Sequence, residues 1–279
     1  MSISGLAALK QRWSGPEERV RVTKTASPTT VVGRTYSGWL SAGVPAAGVA
    51  PTTSVVPTRA TTGALGQVNP TGTRRILRAI FNWLPNTGGL LTLADRLVHS
   101  GGLSGTTTGA QTTNLPTATL TRQTSGVGVM AALEIYTAVG TTGTTATVSY
   151  TNTVPTAGQT SPAATFGGTG FATSGRFIVL PLAVGDVGVT AVASVTLAAS
   201  TVSAAGNFGV TLFYPLVSIP MDHDGRPYLG NGFDNEVQSL YGFGSWFPIV
   251  ETDACIFNIV HTVNTTYGVL NGEFHLAED

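Results

Sequence analysis

The stretch TAVGTTGTTATVSYTNTVPTAG, residues 137–158, decides the fold because it carries no charged side chain and alternates with period two. Apolar and hydroxyl side chains alternate in its middle: Ala146, Val148 and Tyr150 against Thr145, Thr147 and Ser149. Successive side chains of a β-strand point to opposite faces. The stretch therefore predicts a strand with one buried face and one face lined by threonine.

The same alternation recurs across residues 71–220, and glycine, proline and asparagine separate the repeats. Predicted inward positions include Val187, Val189, Ala191, Ala193, Val195 and Leu197, and then Val210, Leu212, Tyr214 and Leu216. Many short strands between turn residues are typical of β-sandwiches and jelly rolls. We therefore predict an all-β fold with a β-sandwich or jelly-roll-like body.

Two pairs of strands are predicted to lie on either side of short turns. Residues 74–84 and 90–100 flank Pro-Asn-Thr-Gly-Gly and predict a hairpin, although residues 74–84 also have apolar side chains at helical spacing. Near the end of the chain, Cys255, Phe257 and Ile259 share one strand face, and Phe274 and Leu276 share another. These last two strands predict either a terminal hairpin or a strand added to a neighbour's sheet.

Three segments are predicted along the chain. Residues 1–70 form an extended, basic, Pro/Gly-rich arm, because the residue before each proline is biased toward extended conformation. Residues 71–220 form the neutral body rich in Thr, Gly and Ala. Residues 221–279 form an acidic, aromatic β segment that is either separate or part of the same domain. Pro/Gly-rich sequence is also typical of a disordered linker, but the valines and aromatic residues of the arm favour an arm that is pinned against something.

The net charge of zero conceals an uneven distribution. Residues 1–96 contain eleven Lys or Arg and three Asp or Glu, a net charge of +8, and residues 222–279 have a net charge of −8. Residues 97–221 contain four charged residues: Arg122, Glu134, Arg176 and Asp186. Soluble sheets normally protect exposed strands with charge. We therefore expect the body to be covered by partner chains, and the two charged ends to contact a charged partner or each other.

No residue pattern predicts catalysis, a cofactor or a metal. Asp222, His223 and Asp224 resemble a metal loop, but Arg226 takes the position where an EF-hand needs its next ligand, so a turn is the simpler interpretation. No two of the four histidines have the helical spacing of a zinc site. Cys255 lies in an apolar strand and is predicted to be buried. The protein is therefore predicted not to be an enzyme.

Aromatic and basic residues of the first segment are the predicted contacts with a partner: Trp13, Tyr36, Trp39, Arg74, Arg75 and Arg78. A charge of +8 over 96 residues, interrupted by acids, is less dense than the usual nucleic-acid footprint. Contact with an acidic protein is therefore favoured over nucleic acid. No apolar run reaches the length of a membrane span, and no secretory leader is expected at the N-terminus.

Residues Leu91–Asn152 and Leu180–Leu216 together resemble a family of tailed-bacteriophage virion structural proteins. The resemblance implies a virion component that is present in many copies. We expect a capsid cement or decoration protein, a homotrimer that binds the major capsid protein or other virion proteins. The alternatives are a tail, baseplate or head-fibre component, a glycan- or receptor-binding module that uses Tyr241, Phe243 and Trp246, and an enzyme such as a glycan hydrolase.

Overall fold

A computed structural model describes residues 18–25, 30–84, 89–116, 119–154, 158–221, 248–263, 265 and 268–278. These residues contain sixteen strands and no helix, so none of them forms a helix long and apolar enough to cross a membrane. The predicted all-β class is confirmed. The strands are β1 Glu18–Lys24, β2 Arg34–Ser37, β3 Gly43–Val44, β4 Arg74–Leu84, β5 Gly89–His99, β6 Gln111–Leu115, β7 Met130–Thr137, β8 Thr144–Asn152, β9 Gln159–Thr160, β10 Ala164–Phe166, β11 Phe177–Val179, β12 Val189–Leu197, β13 Asn207–Met221, β14 Ile249–Val250, β15 Ile256–Thr262 and β16 Val269–Glu278.

Six antiparallel strands in the order β11-β7-β13-β5-β15-β2 form a central sheet that curls into a barrel. The two edge strands meet, because Tyr36 bridges to Arg176 and the Ser37 amide donates to the Gly175 carbonyl at 2.8 Å. The interior is filled by side chains, as in other small barrels. Its apolar members are Trp39, Ala64, Ala94, Ala132, Tyr136, Phe177, Phe213, Cys255, Phe257 and Ile259.

Two further sheets pack against the outside of the barrel and give the body its sandwich-like layers. The first, which we call the threonine sheet, has the order β10-β8-β12-β6, with β9 also paired to β8. Val148, Tyr150 and Val195 of this sheet share a core with Leu133 and Val210 of the barrel. The inward and outward alternation predicted for β8 is confirmed, because Ala146, Val148 and Tyr150 are all buried.

The second, which we call the terminal sheet, has the order β14-β4-β16-β1-β3 and joins strands from both ends of the described chain. Val22, Phe81 and Phe274 of this sheet share a core with Leu93 and Val260 of the barrel. Strand β1 pairs with β16 over its whole length, from Glu18 opposite Leu276 to Lys24 opposite Leu270. The first and last strands of the described chain therefore stabilise one another.

The two predicted hairpins are wrong, although all four segments are strands. Strand β4 ends at Leu84 in the terminal sheet and β5 begins at Gly89 in the barrel; β15 ends at Thr262 in the barrel and β16 begins at Val269 in the terminal sheet. In both cases the second strand lies in a different sheet from the first. Four residues span up to about 13 Å, which is enough to cross the roughly 10 Å between packed sheets. Alternation alone cannot distinguish such an arch from a hairpin.

The described part of residues 18–70, namely 18–25 and 30–70, belongs to the folded unit and is not a separate arm. Strand β1 lies in the terminal sheet, β2 closes the barrel, and Leu65 is buried in the core that these two sheets share. The predicted residues 1–17 of the arm lie outside the described residues. The C-terminal strands β15 and β16 belong to the barrel and the terminal sheet, so residues 248–278 are part of the same domain.

The inward set predicted for β12 is partly wrong. Val189, Val195 and Leu197 face the core as predicted, but Val192 is also buried, whereas Ala191 and Ala193 are not. The pairing register shifts on both sides of Val192. A β-bulge adds a residue to one strand and so reverses the faces that follow it, which is why strict alternation fails here.

Candidate interaction surface

The barrel interior holds an ion pair between Arg96 of β5 and Glu134 of β7. Arg96 donates to the two Glu134 carboxylate oxygens at 2.6 and 2.9 Å, and the two side chains are 0% and 1% exposed. The Thr211 hydroxyl also donates to Glu134, at 2.6 Å. Burial alone would raise the pKa of Glu134, but Arg96 and Thr211 hold that pKa below its usual value. The pair is therefore charged, and both carboxylate oxygens and both terminal guanidinium nitrogens have partners within the molecule, whereas Arg96 Nε has none among the described residues.

A second buried ion pair joins Arg122, in the loop before β7, to Asp95 of β5. Arg122 donates to the Asp95 carboxylate at 2.9 and 3.0 Å and to the carbonyl oxygen of Pro57 at 3.0 Å. The Cys255 amide donates to the same carboxylate at 2.8 Å. Burial raises the pKa of Asp95, and the Arg122 guanidinium opposes that rise. Arg122 thus links the irregular segment around Pro57 to the barrel by hydrogen bonds.

The other two charges of residues 97–221 are also hydrogen-bonded within the molecule. Arg176 is buried and donates to the carbonyl oxygens of Gly170 at 3.0 Å and Phe177 at 2.9 Å. Asp186 is half-buried and accepts from the Tyr150 hydroxyl at 2.5 Å and from Asn152 Nδ2 at 2.8 Å. None of the four charged side chains in this 125-residue span is therefore exposed.

The outer surface of the threonine sheet consists of short hydroxyl and methyl side chains, and we call it the threonine face. Its members are Thr145, Thr147, Ser149 and Thr151 on β8, Thr165 on β10, and Thr190, Ala191, Ala193, Ser194 and Thr196 on β12. Thr147 lies directly opposite Thr196 in the pairing of the two strands. A face of this kind can pack closely against another protein surface without burying an unpaired charge.

The charges at the two ends of the chain meet within the same molecule. Arg74 donates to Glu18 and to Glu278 at 2.7 Å each, and all three lie in the terminal sheet. Two weaker pairs join the same regions: Arg59 to Asp253 at 3.4 Å and Arg21 to Glu273 at 3.8 Å. The basic and acidic ends are thus each other's partners inside one chain, one of the two possibilities that the charge distribution left open.

The predicted partner-contact residues lie mainly in the protein's own core. Tyr36 and Trp39 are 0% and 1% exposed, and their polar atoms bond Val31 N at 2.8 Å and Val49 O at 3.0 Å. Their side chains therefore cannot reach a partner. An aromatic residue in Pro-rich sequence indicates that the chain is anchored, but not whether the anchor is another protein or its own fold.

The basic members of that predicted set differ in exposure. Arg74 is buried in its ion pairs, whereas Arg75 and Arg78 are half-buried on β4. Trp13 lies outside the described residues, as do Asp222, His223 and Asp224 and the aromatic residues Tyr241, Phe243 and Trp246. Arg75 and Arg78 are therefore the two of the six predicted contacts that the structure places partly at the surface.

The titratable groups of the barrel are enclosed. His99 is 2% exposed, and burial together with Arg96, whose Nη1 lies 3.0 Å from His99 Nδ1, lowers its pKa to about 3. Burial raises the pKa of the Cys255 thiol to about 12, and Cys255 is buried as predicted. In the part of the chain that the structure describes, no three His, Cys, Asp or Glu side chains gather as a metal site would require.

An apolar groove lies where β11 ends, beside the start of β7, and we call it the valine groove. It has a volume of about 650 Å³ and is lined by Gly128, Val129, Met130, Val179, Leu180, Pro181, Leu182, Ala183, Asp186 and Val187. Four valines at or near its rim are exposed: Val127 by 53%, Val179 by 38%, Val184 by 106% and Val187 by 60%. Val187 was predicted to face the core, and that prediction is wrong.

Comparison with known proteins finds no matching family model, no matching curated protein and no matching solved structure. The resemblance to phage virion proteins therefore stays a prediction. The functional argument depends on the surface itself, namely the threonine face, the valine groove and the scarcity of exposed charge.

Proposed function

We propose that the protein is a non-enzymatic structural component of a tailed-phage virion, namely a capsid cement or decoration protein that binds the major capsid protein and other copies of itself. The observation that best supports the proposal is where the charged side chains of residues 97–221 lie. Arg122, Glu134 and Arg176 are buried, and Asp186 is half-buried and hydrogen-bonded, so the surface of residues 97–221 carries almost no charge.

A neutral sheet surface is unusual for a protein that stays surrounded by water. Exposed sheets and strand edges normally carry lysine and other charges that prevent association. The cores of protein interfaces, in contrast, are depleted in charged residues. The threonine face has the second composition, because its side chains are threonine, serine and alanine. It is therefore suited to being covered by another protein.

The neutral surface also suits a protein that is packed in many copies. Net charge of one sign keeps proteins apart, because like charges repel at close range. Arg74 is paired with Glu18 and Glu278 within the terminal sheet, so these charges do not repel a neighbour strongly. A tail, baseplate or head-fibre component would use the same surface at a lower copy number.

Quantitative mass spectrometry of purified particles, with the major capsid protein as the internal standard, tests the proposal. The expected result is a copy number comparable to that of the shell subunits. A dozen copies or fewer would favour the tail, and absence from particles would refute a virion role.

A charge variant connects particle binding to the threonine face. Thr147→Lys places a cation at the centre of that face, and burying an unpaired charge is strongly unfavourable. Occupancy should fall at least about tenfold, which corresponds to about 1.4 kcal/mol. Thr53→Lys, at an exposed position in the irregular segment before β4, is the matched control and should not change occupancy. Equal occupancy of both variants and wild type would contradict the role of the face.

A further inference from the structure

The valine groove combines exposed apolar surface with a single charge. Val184 is fully exposed and Val187 is 60% exposed, and Val179 of β11, which also lines the groove, is 38% exposed. Clusters of exposed apolar side chains commonly mark sites of association. Leu182 and Ala183, also in the groove, pack on the core shared with the threonine sheet. The groove is therefore an apolar surface that is supported by the core and suited to binding an apolar segment.

Asp186 defines the charge of that occupant. Among the described residues that line the groove it is the only charged one, and it accepts two hydrogen bonds, from Tyr150 and Asn152. A carboxylate offers about four acceptor positions, so Asp186 retains capacity for a cation. An occupant with apolar residues followed by a positive charge would satisfy both features of the groove.

The N-terminal segment of this chain has that composition. Residues 1–15, MSISGLAALKQRWSG, contain the apolar run Leu6–Leu9, then Lys10, Arg12 and Trp13, and no acidic residue. The seventeen residues before β1 can span up to about 56 Å when extended. The radius of gyration expected for a chain of this length is about 19 Å. The segment is therefore long enough to reach another molecule.

We infer that the valine groove of one copy binds residues 1–15 of a neighbouring copy, with Leu6 and Leu9 against the valines and Lys10 or Arg12 beside Asp186. A neighbour is favoured over the same chain because β1 begins in the terminal sheet, whereas the groove packs on the core of the threonine sheet. This binding of one copy's N-terminal segment by another copy depends only on this chain. It can therefore be observed or refuted with purified protein, whether or not the virion role is correct.

A disulfide trap in the full-length protein tests this exchange. Leu9→Cys combined with Val184→Cys should form a disulfide on mild oxidation, and non-reducing electrophoresis should show dimers and longer chains in more than half of the protein. Cys255 does not compete, because it is buried and its thiol has a raised pKa. Val184 is fully exposed, so its substitution leaves the core intact. Leu9→Cys with Ala110→Cys, an exposed position before β6, is the control and should stay largely monomeric.

Each result of the trap decides the inference. Absence of a disulfide above the control level would overturn it and would leave the groove to a small molecule or to a different protein. A disulfide within one chain would overturn the exchange between copies. Adding Lys10→Glu and Arg12→Glu to the trapped variant should lower the yield several-fold, and an unchanged yield would overturn the role of Asp186.

Discussion

Replacing Glu134 with glutamine should destabilise the protein strongly, because it removes one charge of a buried pair and leaves the other. Arg96 is 0% exposed and donates to Glu134 at 2.6 and 2.9 Å. Two unit charges 4 Å apart attract by about 4 kcal/mol at an effective dielectric constant of 20. Breaking one partner of a buried pair typically costs about 3–5 kcal/mol. We expect Glu134→Gln to lower the free energy of unfolding by that amount.

The matched double variant distinguishes an unpaired charge from lost packing. Arg96→Met with Glu134→Gln carries no charge, and the glutamine can still accept from Thr211 and from Tyr136, whose hydroxyl lies 3.2 Å from Glu134. Its loss should therefore be smaller than the sum of the two single losses by at least about 2 kcal/mol, within the range of coupling for contacting residues. Some loss should remain, because the Arg96 guanidinium also lies 4.4 and 4.3 Å from the ring centroids of Trp39 and Phe257.

Urea unfolding of wild type, both single variants and the double variant, followed by tryptophan fluorescence, gives all four free energies. The reasoning requires the double variant to lose less unfolding free energy than the sum of the losses in the two single variants. Strict additivity would show that Arg96 and Glu134 do not act as a pair. A Glu134→Gln variant as stable as wild type would show that the interior of the barrel is accessible to water.

Three other outcomes follow from the buried and paired charges. The pKa of His99 is about 3 in the folded protein and 6.5 in an unperturbed histidine, so between these values the unfolded chain binds one more proton than the folded protein. The free energy of unfolding should therefore fall as the pH is lowered from 6.5 toward 3, by up to about 1.4 kcal/mol per pH unit, and His99→Gln should lack this component in urea titrations. Burial lowers the pKa of Lys24 from 10.5 to about 8, so the unfolded chain binds more protons between those values, and the free energy of unfolding should rise with pH there by on the order of 3 kcal/mol in wild type but not in Lys24→Met. Since Arg74 pairs with Glu18 and Glu278 within the chain, the contact of Lys10 or Arg12 with Asp186 is the one charge contact proposed between copies; self-association followed by light scattering should slow modestly at high salt in wild type and should lose that salt dependence in Lys10→Glu with Arg12→Glu, whereas a strong salt dependence that persists in this variant would indicate other charge contacts between copies.

The parts of the fold that could be predicted from the sequence are those that depend on local alternation. The Thr and Val pattern of β8 defined its buried face, and the buried face of Cys255, Phe257 and Ile259 was also found. Alternation gives no information on which sheet a strand joins. The arch between β4 and β5 and the barrel closure at Tyr36 and Arg176 were missed for that reason.

The candidate surface was predictable in composition but not in location. The scarcity of charge in residues 97–221 indicated a covered surface, and the structure strengthened that argument, because Arg122, Glu134 and Arg176 are buried and Asp186 is half-buried. The partners of those four residues come from distant parts of the chain, so no sequence pattern marks them. The valine groove was missed because a turn exposes Val184 and Val187 in a segment whose apolar pattern resembles a buried strand.

Sedimentation velocity of the full-length protein at tens of micromolar tests the central claim most directly, namely that other protein covers the neutral surface. The account predicts trimers or larger assemblies in wild type, and a shift toward single chains in Thr147→Lys but not in Thr53→Lys. A wild-type protein that sediments as one species with the mass of a single chain, at every concentration measured, would contradict it.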